Sequence, residues 1–258
     1  MSFPHPKKRL GQHFLKDNDI AREIAGALKC EDIKHVLEIG AGTGVLTRFL
    51  LERQNICLTA IELDMDFIRI LKQKFPDARE RILHQDALKY PLTSPAGEAI
   101  AIIGNFPYNI SSQLFFRILD YREHVREVVC MVQKEVADRI SAGPGSKTCG
   151  ILSVLLQAWY RIDYLFTVSP EVFHPRPKVH SAVIRLERNK RHSLDCDESL
   201  FFRVVKTCFG QRRKMIRNSL RAITGNTGQD HHLLQKRPEQ LSVDEFCELT
   251  RWVQAQLI

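Results

Sequence analysis

The chain has 258 residues, 44% hydrophobic and 26% charged, which suits one sizeable α/β domain plus a small second one and excludes a chain disordered throughout. Against 30 Asp and Glu there are 38 Lys and Arg; the net charge of +8 points to nucleic acid, to an anionic membrane, or merely to a basic enzyme. Seven cysteines with no CxxC spacing argue against a zinc site or a disulfide framework, and for reduced thiols in a cytoplasmic protein.

Residues 1–9 are polar and basic with no apolar run behind them, so no secretory signal is expected. No window has the apolar length of a membrane span. His35–Ile39 reads as a strand, Val45–Arg53 as a helix and Ile56–Ile61 as a second strand. A helix over Met65–Phe75, ended by Pro76, leads to a third strand at Arg81–Leu83. Ala99–Ile103 is a fourth strand, Ser111–Leu119 a helix and Val128–Val132 a fifth strand. Continuous apolar runs of this kind are typical of buried parallel strands, and their alternation with helices predicts βαβ units. Ser141–Lys147 is a loop by composition, and three prolines between Ser169 and Lys178 forbid regular structure there.

Val179–Leu186 alternates as a last strand, and the polar stretch Asn189–Asp197 is a linker. From Glu198 onward the chain reads as helical. Phe201, Val204, Val205, Cys208 and Phe209 share one helical face, and Gly210 breaks the run. Met215, Ile216, Leu220 and Ile223 form a second stripe. Ser242 with Glu245 makes a capping box for a final helix. The predicted domains are therefore an α/β domain over residues 1–188 and a small all-helical one over 189–258.

The first strand runs into Gly40-Ala41-Gly42-Thr43-Gly44. A dinucleotide site wants G-x-G-x-x-G with a helix N-terminus facing a pyrophosphate. The shorter G-x-G-x-G fits S-adenosylmethionine, which has no phosphate to cradle. Glu62 ends the second strand, where an acid can accept hydrogen bonds from both ribose hydroxyls. Asp86 follows the third strand, placed for the cofactor's adenine amino group, although alone it fits a helix N-cap equally well.

The fourth strand ends in Asn105-Phe106-Pro107-Tyr108. An exocyclic adenine nitrogen is a poor nucleophile because its lone pair is delocalised into the ring. It needs hydrogen-bond acceptors that draw it toward tetrahedral geometry. The Asn105 side-chain oxygen can be one, and the backbone carbonyl of Phe106 or Pro107 another. Tyr108 offers a flat face for the base, worth roughly 1–3 kcal/mol.

These motifs, together with Lys8-Arg9-Leu10-Gly11-Gln12-His13-Phe14-Leu15, Val172-Phe173-His174-Pro175-Arg176-Pro177-Lys178-Val179 and Phe209-Gly210-Gln211-Arg212-Arg213-Lys214, closely resemble the ribosomal RNA adenine dimethyltransferase family over nearly the whole chain. The nearest branch acts on the bacterial small subunit. The resemblance implies a Rossmann-like catalytic domain with a helical C-terminal domain. It implies transfer of two methyl groups to N6 of each of two adjacent adenosines in a hairpin near the 3′ end of small-subunit (16S) rRNA, within a pre-30S particle.

The cofactor is then S-adenosylmethionine and its product S-adenosylhomocysteine, with no metal, and the enzyme a monomer. Gln12, His13 and Leu15 fall in the motif that lines the methionine end of the cofactor, alongside Gly40, Gly42, Glu62, Asp86 and Asn105. Phe173 covers the target adenine opposite Tyr108, or else packs within its Pro-rich loop. The family often has Asn at the position of His13 and Leu at that of Phe106. His13 then opens a pH dependence of cofactor binding, and Phe106 a narrower adenine pocket.

Arg203, Lys206, Arg212, Arg213, Lys214, Arg217 and Arg221 come with no acidic residue among them. Arg213, Arg217 and Arg221 are four apart, so they line one helical face. Lys7, Lys8 and Arg9 make a second basic patch. Both are read as RNA-binding. The competing readings are a large-subunit rRNA dimethyltransferase of the antibiotic-resistance type, a ribosome-assembly factor without turnover, and a DNA adenine methyltransferase.

Overall fold

The computed structural model describes residues 7, 10–225 and 230–257. The chain divides into two compact units, Met1–Ala137 with Ile162–Arg188, and Asp138–Arg161 with Asn189–Ile258.

The elements of the first unit are, in chain order, β1 (Phe14–Leu15), α1 (Asn18–Ala27), β2 (His35–Ile39), α2 (Val45–Leu51), β3 (Cys57–Glu62), α3 (Met65–Lys74), β4 (Ile82–His84), β5 (Ile100–Asn105), α4 (Ser111–Asp120) and β6 (Val125–Gln133). After α5 (Lys134–Ser141) and α6 (Ile151–Gln157) come β7 (Tyr160–Val168), β8 (Phe173–His174) and β9 (Ser181–Arg188). The main sheet has the order β4-β3-β2-β5-β6-β9-β7. Its first five strands pair in parallel, and β9 runs antiparallel to β6. The order places β3 and β5 on opposite sides of β2, so the connections diverge there. Open α/β sheets bind ligands at such a point, outside the carboxyl ends of the strands.

The parallel strands are buried because they are apolar on both faces, as in Ile100–Gly104. Helix α1 is capped by Asp17, whose side chain accepts from the Asp19 and Ile20 amides, and it buries Ala21, Ile24 and Ala25 at helical spacing. These residues join Val36, Leu46, Leu50, Ile103, Val129 and Met131 in one core.

Strand β6 begins at Val125, three residues before the apolar run suggests. The polar residue that disguised it, Glu127, is buried, and its carboxylate accepts from the Lys29 and Cys30 amides. Beyond the predicted elements, the structure also contains α1, α5, α6, β7 and the two-stranded β1–β8 ladder.

The second unit carries α7 (Glu198–Gly210), α8 (Ile216–Thr224) and α9 (Val243–Ala255), with short 3-10 turns between the last two. The predicted capping box of α9 is present: Ser242 accepts from the Glu245 amide, and Glu245 from the Ser242 amide. The unit also takes in residues 138–161, which the sequence assigns to the first domain. This correction has a packing cause. The Gly145 amide donates to the Glu239 carbonyl, and Trp159 lies against Phe201 and Phe202.

Candidate active site

A cleft opens at the carboxyl ends of β2, β3, β4 and β5, lined by Gly11, Gln12, His13, Phe14, Gly40, Gly42, Glu62, Leu63, Asp86, Asn105, Pro107 and Tyr108 among others. Two glycines shape it. Gly42 has φ of +51°, and a Cβ there would meet the Phe14 ring at 3.0 Å. Gly104, just before Asn105, runs so close to β2 that any Cβ would collide with the Ile39 carbonyl oxygen.

Glu62 is 8% exposed and faces the cleft. Its Oε2 accepts from the Gly42 amide, and its Oε1 from the Leu63 and Asp64 amides, each at 2.9 Å. Burial pushes its carboxyl above the usual range, and these three amides oppose the shift. A carboxylate has roughly four acceptor positions. Three amides leave acceptor capacity on Oε2, the oxygen that carries only the Gly42 bond.

The Lys7 ammonium, expected at the RNA, instead lies 2.6 Å from Asp64 Oδ1 and 3.0 Å from Asp66 Oδ2. Those hydrogen bonds raise its pKa. Gln12 completes the clasp by accepting from the Lys7 amide and donating to Asp64 Oδ2 at 3.2 Å. Burial alone would push the Asp64 carboxyl up, but Lys7, Gln12 and the Asp66 amide outweigh it and hold it below its ordinary value. Asp64 was not assigned a role from sequence. Its signal was an acid two residues after Glu62 that opens a helix. Lys8 and Arg9 lie outside the described residues.

Asn105 ends β5, and its Nδ2 donates to the His13 carbonyl at 2.8 Å. A carbonyl can only accept, so the amide must present its NH2 to His13 and turn Oδ1 the other way. His13 is fixed in turn: its Nδ1 lies 2.8 Å from the Pro175 carbonyl and so carries a proton, and its ring stacks on Tyr108 with centroids 5.2 Å apart. The Tyr108 hydroxyl lies 2.5 Å from Ser181 Oγ. Burial raises its pKa against that hydrogen bond. The Pro107 carbonyl accepts from the Ile110 amide, whereas the Phe106 carbonyl has no partner among the described residues.

Three side chains lie elsewhere than expected. The Phe106 ring is fully buried and packs on Phe115, while the residue still borders the cleft. Phe173 is 2% exposed and belongs to the core, as does Leu15. The β1–β8 register explains both. It pairs Leu15 with Phe173 and Phe14 with His174, so the first pair enters the core and Phe14 faces the cleft. The alternative reading of Phe173, packing within its loop segment, is the one that matches its position.

Asp86 uses Oδ1 to accept from the Leu88 amide, and its Oδ2 has no partner among the described residues. The cleft thus offers one acceptor on Glu62, one on Asp86 and apolar walls from Ile39, Ile61, Leu63 and Ala87. Open acceptors between apolar walls fit a nucleoside, with hydroxyl and amino groups as the donors.

In the second unit, Arg203, Lys206, Arg213, Lys214, Arg217 and Arg221 are exposed, and Arg212 is half-buried with its guanidinium on the Lys147 carbonyl. The single helical face expected for Arg213, Arg217 and Arg221 is corrected. Residues 211–214 form a turn closed by the Lys214 amide on the Gln211 carbonyl, and α8 starts only at Ile216. Arg217 and Arg221 share a face, and Arg213 stands in the turn before it.

No helix among the described residues is long and apolar enough to cross a membrane. The family model described as ribosomal RNA adenine dimethylase matches residues 5–255. The ribosomal RNA small subunit methyltransferase A of Parabacteroides distasonis is 55% identical over 252 residues, which are 97% of this chain and 94% of that protein. A dimethyladenosine transferase from Plasmodium falciparum superposes with a TM-score of 0.77 at 25% identity, over 95% of this chain and 98% of that one. The 23S rRNA methyltransferase ErmE shares the fold, with a TM-score of 0.66 at 24% identity over 91% of this chain and 99% of its own. The chain belongs to the ribosomal RNA adenine dimethylase family.

Proposed function

We propose that the protein dimethylates N6 of two adjacent adenosines in a hairpin near the 3′ end of small-subunit rRNA. Its relatives named as small-subunit methyltransferases support this substrate over large-subunit RNA. The observation that carries the reading is Asn105, a cleft-lining residue whose amide nitrogen is held on the His13 carbonyl, leaving its side-chain oxygen to accept.

S-adenosylmethionine supplies an activated methyl group on a sulfonium. Glu62 and Asp86 would hold its nucleoside end through their open acceptor positions. Asn105 Oδ1 and the Phe106 carbonyl accept hydrogen bonds from the target amino group and draw its lone pair out of conjugation. Neither acts as a base, so most of the rate comes from positioning. The choice between the Phe106 and Pro107 carbonyls falls on Phe106, because Ile110 occupies the other. Tyr108 gives the base a face to stack on, and Ser181 and His13 hold its ring still.

The exposed cations of α7, α8 and the turn between them bind the RNA backbone, so affinity falls steeply with salt. Recognition combines RNA shape with an adenine splayed out of the stack. The protein works as a cytoplasmic monomer on a pre-30S particle, with no metal in the reaction.

The test is to incubate unmethylated small subunits, large-subunit RNA and DNA with methyl-labelled cofactor and to map the label. Label confined to the small-subunit hairpin is the expected result. Label on large-subunit RNA alone, or on none, overturns the reading.

A further inference from the structure

His231 and His232 stand at the start of a 3-10 turn in the second unit, opposite Glu248 on α9. His231 Nε2 lies 3.3 Å, and His232 Nε2 3.6 Å, from the same oxygen, Glu248 Oε1. Ligand atoms of all three residues lie within 4.8 Å of one another. Tetrahedral ligands about 2.0–2.1 Å from a zinc-type ion are about 3.3–3.4 Å apart. Two of the three separations are therefore close to what one central ion requires. The imidazoles stack with centroids 4.6 Å apart, which brings both nitrogens to the same carboxylate.

We propose that His231, His232 and Glu248 bind a divalent transition-metal ion of the zinc class, through two nitrogens and one oxygen, with a fourth position left for water. Two imidazoles with one carboxylate favour such an ion over calcium or magnesium, which prefer all-oxygen shells. Ligation through Nε2 places the His231 proton on Nδ1 and gives up a long 3.3 Å contact from the Leu233 amide. The ion ties the 3-10 turn to α9 and takes no part in methyl transfer. The cysteines alone did not betray this site, because none of its ligands is a thiol.

Trp252, one of two tryptophans in the chain, reports on it, with its ring 5.6 Å from His231. The experiment is a titration of the full-length, metal-stripped protein with Ni2+, followed by tryptophan fluorescence. Saturable quenching at one equivalent is expected, absent in Trp252→Phe and reversed by Zn2+. His232→Ala and Glu248→Gln should each weaken binding by at least about tenfold. The His232 side chain is 66% exposed, so its removal leaves the fold intact and decides the matter if Glu248→Gln unfolds. Absence of Trp252 quenching, or equal affinity in wild type and His232→Ala, overturns the proposal.

Discussion

The Asn105 side chain donates to the His13 carbonyl across 92 residues of sequence, and this one bond fixes the amide with its oxygen turned away from His13. The first prediction follows from it. Asn105→Ala removes an acceptor that acts on the reacting amino group, and should lower kcat by about 100–1000-fold, the range seen when one preorganised polar partner is lost. Cofactor affinity, measured by calorimetry, should change far less than kcat. A loss of turnover under tenfold would remove Asn105 from the reaction.

Tyr108 separates ring from hydroxyl. Tyr108→Phe keeps the stacking face and loses only the bond to Ser181, so turnover should stay within about threefold of wild type. Tyr108→Ala should weaken RNA substrate binding by the roughly 1–3 kcal/mol of a base-stacking contact. If steady-state kinetics show equal losses for the two variants, the ring is not a stacking surface.

Gly104 and Gly143 form a matched pair for testing the sheet. A Cβ at Gly104 collides with the Ile39 carbonyl, whereas one at Gly143 meets nothing within 4 Å. Gly104→Ala must push β2 and β5 apart and should cost about 1–3 kcal/mol or more, as overpacking does. Gly143→Ala should be near neutral. Urea denaturation of both variants checks this, and equal midpoints contradict the packing described.

Glu38 sets a pH dependence. It is 1% exposed, and its Oε2 has no hydrogen-bond partner. Burial pushes its pKa from 4.5 to about 7, with neighbouring Thr47 opposing the shift and the nearby Glu62 charge assisting it. Between those two values the folded chain keeps a proton that the unfolded chain has released. This contribution to stability is full below the unfolded value and is lost as pH rises through about 7. Glu38→Gln should flatten that part of the profile. Parallel stability curves for variant and wild type between pH 5 and 8 would show that Glu38 does not titrate there.

The Arg217→Ala, Arg221→Ala double variant should weaken RNA binding at low salt and make log Kd less steep against log salt, by about 0.9 per lost duplex-phosphate contact. Catalysis on saturating RNA should persist. An unchanged salt slope would place the RNA elsewhere.

The catalytic half of this protein was open to reading because its strands are buried on both faces and so carry unbroken apolar runs. The turns after them could then be placed one by one: Gly40, Glu62, Asp86, Asn105. What stayed hidden depends on contacts between distant residues. Nothing local distinguishes Phe173 as a core residue, since its burial follows from pairing with Leu15 more than 150 residues away. Lys7 reads as a free cation in sequence because its partners, Asp64 and Asp66, stand at the start of α3, more than 50 residues away. Arg213 kept helical spacing with Arg217, yet the turn at 211–214 breaks the helix between them.

Under the proposed reaction, the groups awaiting the target nitrogen are both acceptors: Asn105 Oδ1, locked outward by His13, and the Phe106 carbonyl. An unmodified adenine offers two hydrogens to them, a monomethylated one offers a single hydrogen, and a dimethylated one offers none. The grip on the base therefore weakens with each transfer, and the finished nucleotide is left facing two lone pairs it cannot satisfy. Leaving the site requires no separate trigger, because completion of the chemistry is itself what ends the attachment.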